Sequence, residues 1–153
     1  MPRRFYSNVL TAHGLAVADD GRVLVGLRSS SGSRPGMWEL PGGKMEPEDG
    51  ADLKATVRRE WLEELGVDVV VGDLVKSVEM KVEVDLRMYL YEVAISRGVP
   101  RCIVHDGLIW VSLEEAVVRY PCAPAMYLYY RSALAVVDRV VEGSAPRHGR
   151  RRR

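Results

Sequence analysis

Arg59-Glu60-Trp61-Leu62-Glu63-Glu64-Leu65-Gly66-Val67 closes a run in which Leu53, Val57, Trp61 and Leu65 recur at every fourth position. That spacing predicts an amphipathic helix from about Ala51 to Leu65, stopped by Gly66. At roughly 100° per residue, Glu60, Glu63 and Glu64 share an arc of about 100° that overlaps the edge of the apolar stripe. On an ordinary surface helix such carboxylates sit opposite the stripe, because charge beside a low dielectric is costly without a compensating partner. A divalent cation is such a partner, since hard ions such as Mg²⁺ take several oxygen ligands and bridge carboxylates to phosphates. Arg59, four residues before Glu63, is spaced to pair with it on the helix surface.

Upstream, Met37-Trp38-Glu39-Leu40 reads as a short strand stopped by Pro41-Gly42-Gly43. Pro41-Gly42-Gly43-Lys44 predicts a tight loop whose bare backbone can approach a ligand, with carbonyls for metal and Lys44 for phosphate. Glu46, Glu48 and Asp49 offer further oxygen ligands. Residues 6–18 and Arg22 to Arg28, separated by Asp19-Asp20-Gly21, read as a β-hairpin, followed by a loop from Ser29 to Gly36. Beyond the helix, Val67 to Ser96 is β-prone, and Val82 to Tyr89 alternates as a half-exposed strand. Another strand ends at Ile109-Trp110-Val111. Ser112-Leu113-Glu114-Glu115 then fits a reciprocal capping pattern, and a last helix is expected from about Pro124 to Val141. The element pattern implies an α/β fold, a mixed sheet sandwiched between helices.

Residues 43–67 resemble the Nudix box, a glycine and a distant acid followed by Arg-Glu-hydrophobic-x-Glu-Glu-x-Gly-hydrophobic. The second half stands complete from Arg59 to Val67. In the first half Gly43 and Arg59 lie two residues further apart than usual, so the expected mid-box glutamate falls on Ala51. An insertion near Glu48 to Asp52 makes Glu48 or Asp49 its stand-in. The resemblance implies an α/β/α sandwich in which Glu60, Glu63, Glu64 and the Gly43 carbonyl hold Mg²⁺ or Mn²⁺ and Arg59 holds the cluster in place. It further implies metal-assisted attack of water on a diphosphate, with Glu63 or Glu60 as base and His105, Asp106 and Glu83 as later-loop candidates. Trp38 to Lys44 looks like the MutT-type nucleoside triphosphatases, so a nucleoside triphosphate is the expected substrate, with Arg28, Lys44 and Trp38 as candidate contacts. An ADP-ribose or nucleoside diphosphate sugar pyrophosphatase is the alternative enzyme. A non-catalytic nucleotide-binding module is the alternative of another class, opposed by the electrostatic cost of three intact glutamates.

The 153 residues suit one domain, expected over 1–142, with 143–153 as a basic, disordered tail. Arg147 and Arg150 to Arg153 take five of the 22 basic residues into the last seven positions, leaving 17 against 21 acidic ones before them. An acidic body argues against a nucleic-acid-binding face. No apolar run is long enough for a membrane span, and Met1-Pro2-Arg3-Arg4 does not lead into a secretory segment, so a cytoplasmic protein is expected. Cys102 and Cys122 are too few for a disulfide framework. Tyr127, Tyr129 and Tyr130 read as core rather than as a base-stacking surface. Dimers are common among proteins of this kind, so a homodimer falls within expectation.

Overall fold

The computed structural model describes residues 8–81 and 83–144. Among these residues seven strands form two sheets. The first has the order β4(Gly42–Lys44), β1(Asn8–Leu15), β6(Asp85–Arg97), β5(Asp68–Lys81); β1 runs parallel to β6, and the other pairs are antiparallel. The second, β3(Trp38–Glu39), β2(Val23–Leu27), β7(Gly107–Val111), is antiparallel throughout. Helix α1(Leu53–Leu65) covers one side, while α2(Leu113–Arg119) and α3(Pro124–Ser144) lie on the other. The expected mixed sheet between helices is therefore present, accompanied by a smaller second sheet.

Alternation along β1 divides the interior. Ala12 and Ala16 join Val57, Trp61 and Leu65 beneath α1. Leu15, one step out of phase, joins Met88, Leu90, Met126, Tyr129 and Tyr130 beneath α3. The Trp61 indole anchors the first cluster: its Nε1 donates to Pro41 O at 3.0 Å, and the same carbonyl accepts from Gly14 N at 2.9 Å. One oxygen thus ties α1, β1 and the entrance to β4 together. Gly14 leaves room for the ring, since a Cβ there would lie 2.5 Å from Trp61 Nε1.

Several expectations need correction. Residues flanking Asp19-Asp20-Gly21 do form strands, but they pair only through a bridge between Val17 and Val23 before diverging into different sheets. Both flanks are apolar on two faces, so neither is committed to its sequence neighbour, and long-range partners β6 and β7 win. Gly42-Gly43-Lys44 is not a loop but an edge strand on β1, with Thr11 opposite Lys44 and Ala12 opposite Gly43. The alternating strand begins at Asp85 rather than at 82, because Glu83 and Val84 belong to the bend after β5; Val82 lies outside the described residues. Ser112 accepts from Glu115 N at 3.2 Å, but no return bond completes the cap. Helix α3 extends through Gly143 and Ser144, beyond the expected domain end; the rest of the basic tail, 145–153, lies outside the described residues, as does the start of the chain. No helix among the described residues is long and apolar enough to cross a membrane.

Gly14→Ala should cost about 2 kcal/mol by driving a methyl into a close-packed ring. Urea unfolding monitored by circular dichroism measures this; an unchanged midpoint would show that the Trp61 contact does not anchor the core.

Candidate active site

Helix α1 begins where Asp52 accepts from Lys54 N at 2.9 Å, and it ends on Gly66 in the left-handed conformation. Its inner stripe, Val57, Trp61 and Leu65, fixes its rotation on the first sheet. Glu60 and Glu64 are thereby turned toward a cleft of about 690 Å³ at the β4 edge, a volume suited to a nucleotide-sized ligand. Glu63, whose side chain is 59% exposed, does not line that cleft; it meets Arg59 Nη1 at 3.2 Å, the same nitrogen that bonds Glu60.

The Arg59 guanidinium is the hub. Its Nε donates to Asp49 Oδ1 at 2.8 Å and its Nη2 to Asp49 Oδ2 at 2.9 Å, a bidentate pair. Nη1 reaches Glu60 Oε1 at 2.9 Å, and Nη2 also reaches Lys44 O at 2.9 Å. Asp49 further accepts from Thr56 Oγ1 and Glu46 N, both at 2.9 Å. Of the two acids left open as the mid-box stand-in, Asp49 is buried and joins this network, whereas Glu48 is exposed. Arg59 holds the Asp49 carboxyl well below the usual range.

Glu60 can lie across the edge strand only because position 43 lacks a side chain: a Cβ on Gly43 would sit 2.5 Å from Glu60 Cδ. Glu64 Oε2 is buried with no hydrogen-bond partner among the described residues. Burial, then the charges of Glu60 and Glu39, push the Glu64 carboxyl up to about 9. Glu39 was not legible as a site residue in the sequence, where it reads as part of a strand. Its side chain, 10% exposed, bonds Arg28 Nη1 at 2.8 Å and His105 Nε2 at 3.2 Å. Burial raises its carboxyl, but His105 and Arg28 outweigh that and leave it below its ordinary value.

The described residues contain no closed set of three His, Cys, Asp or Glu ligands. What they do contain is an orphaned buried carboxylate oxygen beside two further carboxylates in a cleft, a donor set that suits a hard divalent cation. The alternation of the β1–β4 ladder, with Gly14 N bonded to Pro41 O and Met45 N to Leu10 O, turns the Gly43 carbonyl toward β1 and that of Gly42 away from it.

Among the other expected residues, Lys44 and Trp38 line the cleft. Trp38 is braced edge-on by Tyr120, with ring centres 5.1 Å apart. Arg28 lines it too, but its guanidinium is engaged by Glu39, Ser33 O and Ser33 Oγ. His105 is buried behind Glu39, Asp106 accepts from Ser30 N at 2.8 Å, and Glu83 sits in an exposed bend; none of the three lines the cleft. Tyr129 and Tyr130 are core residues, and Tyr127 is exposed. Besides Glu39, two further cleft residues were missed. Arg34 holds a positive φ of 50° and makes no ion pair among the described residues. His13 donates Nδ1–H to Leu40 O at 2.8 Å, with burial keeping its pKa below the ordinary value.

Asp49→Asn should destabilise the protein by about 3 kcal/mol, because it leaves Arg59 without its bidentate partner. Glu48→Gln should be neutral, and denaturant titration of both distinguishes the two acids. Because the Asp49 carboxyl is depressed in the folded state, its contribution is present at neutral pH and is lost as the pH falls through the ordinary carboxylate range and below. Glu64 has the opposite sign. Its raised pKa makes folding less favourable as pH climbs from its unfolded value near 4.5 toward about 9, so Glu64→Gln should raise the melting temperature of metal-free protein most at pH 8 to 9. An equal effect at pH 5 would refute the assigned electrostatic cause.

Residues 8–132 match the family model described as NUDIX domain. The chain is 35% identical over 107 residues to the CTP pyrophosphohydrolase of Escherichia coli (strain K12), an alignment that covers 69% of this chain and 77% of that protein. Its structure resembles the solution structure of the E. coli ORF135 protein, with TM-score 0.74, 28% identity and coverage of 89% and 95% of the two chains. It also resembles the MutT protein from Methanosarcina mazei Go1, with TM-score 0.69, 25% identity and coverage of 93% and 99%. With the box, the sheet pair and the family match in agreement, the chain belongs to the NUDIX family of hydrolases.

Proposed function

We propose that the protein hydrolyses a nucleoside triphosphate at a diphosphate linkage, releasing a nucleoside monophosphate and pyrophosphate with Mg²⁺, for which Mn²⁺ can substitute. The observation that carries this reading is the partnerless, buried Glu64 oxygen grouped with Glu60 in a nucleotide-sized cleft. Glu60 and Glu64 would hold the cation, with the outward Gly42 carbonyl taking the part expected of Gly43. When bound, the cation acidifies a water and neutralises charge on the diphosphate oxygens.

The chain's own residues divide the remaining work. Arg59 fixes the Glu60 carboxylate, so that its geometry is set before substrate arrives. Glu63 steadies the outer side of Arg59 rather than entering the cleft. Lys44, which pairs with Thr11 across the β1–β4 ladder, and Arg34 both line the cleft and meet phosphate oxygens. Arg28 serves as a strut for Glu39 and the 29–36 loop. Trp38, Met37, Met88 and Met126 supply apolar walls against which a base can lie.

A nucleoside triphosphate is favoured because apolar side chains and carboxylates line the same cleft, and because the E. coli relative is named for its action on CTP. CTP and dCTP therefore head a panel of nucleoside triphosphates, oxidised nucleotides and ADP-ribose, with products separated by ion exchange. Cleavage of a triphosphate to monophosphate and pyrophosphate is expected, and Glu64→Gln should lower kcat by about 100-fold or more. Glu63→Gln should have a much smaller effect. Turnover and Mg²⁺ dependence left unchanged by Glu64→Gln would remove the proposed site, and exclusive cleavage of ADP-ribose would replace the substrate class.

A further inference from the structure

Thr11 carries an unmatched polar group outside the carboxylate cluster. Its side chain lines the cleft, yet its Oγ1 is buried and has no hydrogen-bond partner among the described residues. Polar groups at neighbouring positions are committed elsewhere: His13 donates Nδ1–H to Leu40 O, and the Lys44 carbonyl accepts from Arg59. A buried hydroxyl left without a partner is costly, whereas a valine has the same outline and no such cost. Rotation about the Cα–Cβ bond exchanges the hydroxyl and methyl positions, so the hydroxyl can turn to a ligand that offers it a partner.

The strand register indicates which part of a ligand it meets. Thr11 is paired with Lys44 of β4 on one side and with Met88 of β6 on the other, so the three side chains stand in one row on the same face of the first sheet. Lys44 is exposed, Thr11 half-buried and Met88 buried, and all three line the cleft. The row thus runs from a cation to an apolar floor with one hydroxyl between them. Neighbouring strands lie about 4.8 Å apart, which gives the row a span of roughly 10 Å. A nucleotide has the same order of chemistry: phosphates, then a pentose with its hydroxyls, then an apolar-faced base. With a phosphate on Lys44 and a base against Met88, the pentose falls over Thr11.

We propose that Thr11 is a specificity-determining residue whose hydroxyl bonds a pentose hydroxyl of the substrate, at the 2′ or the 3′ carbon. The inference rests on the nucleoside triphosphate reading of the cleft. A nucleotide lacking both hydroxyls forgoes the contact and leaves Thr11 Oγ1 as it is in the free protein.

The test pairs a change in the protein with a change in the ligand. Calorimetric titrations of the full chain with Mg²⁺ use α,β-methylene triphosphates, in which CH₂ replaces the bridging oxygen, so that binding is read without turnover. The ribo, 2′-deoxy, 3′-deoxy and 2′,3′-dideoxy forms are taken in both the cytidine and the guanosine series. Thr11→Val should weaken binding of the ribonucleotide by about 10-fold and leave the dideoxynucleotide at its wild-type affinity. The two singly deoxygenated forms identify the hydroxyl that takes part, and Thr11→Ser, which keeps the donor, should restore most of the affinity. In the free protein Thr11→Val should raise the melting temperature by about 3 °C, because it removes an unpaired buried group. The proposal is overturned by an equal loss for ribo and dideoxy forms, by no loss for any form, by a lowered melting temperature, or by a wild-type protein that binds none of the nucleotides. Coupled binding in a protein that fails to hydrolyse CTP and GTP would remove the proposed reaction and leave this contact standing.

Discussion

The site depends on one guanidinium. Arg59 gathers both oxygens of Asp49, one of Glu60, one of Glu63 and the Lys44 carbonyl, thereby joining a turn, a helix and an edge strand at a single planar group. A lysine has one ammonium and no fork, and it could not span these directions at once. The arrangement also explains how a helix can carry carboxylates on the flank of its buried stripe. Glu60 is compensated from one side by Arg59, and the side facing the cleft remains available. Glu64 receives no such relief, and its proton affinity rises accordingly.

This imbalance links folding to chemistry. Wherever the protein holds Glu64 beside Glu60 and Glu39, it accepts a repulsive arrangement that only a bound cation or a proton relieves. The rest of the structure is firm enough to sustain it. Trp61 is fully buried and shares the Pro41 carbonyl with Gly14, and Glu39 is bonded on both sides by Arg28 and His105. A strained cluster held in a rigid frame is the expected form of a preorganised electrostatic site.

Much of this was legible in the sequence where the information was local. The four-residue recurrence of Leu53, Val57, Trp61 and Leu65 located α1, and the offset of Glu60 and Glu64 from that stripe indicated the cleft side. Glu63, one position away, carried the same signal and is the more exposed of the three, bonded to Arg59 beside Glu60, because a helical wheel does not reveal where the neighbouring strand ends. The choice between Glu48 and Asp49 was likewise hidden, since it is made by Thr56 and Arg59 reaching back over seven and ten residues. Glu39 and the separation of β1 from β2 were out of reach for a related reason. Each is decided by partners far along the chain, His105 in one case and the β6 and β7 ladders in the other.

The lengthened first half of the box shows how the network accommodates a change of chain length. Asp49 and Asp52 are fixed, one by Arg59 and the other as the cap of α1, and Asp52 N closes back on Asp49 O at 3.2 Å. Between them Gly50 and Ala51 are both exposed and both left-handed, with φ of 64° and 59°. Extra residues are thus confined to a small outward loop between two fixed posts, where added length costs little closure entropy and shifts neither post. The two residues by which this box is longer are thus taken up between Asp49 and Asp52, and the contact of Arg59 with the Asp49 carboxylate is kept.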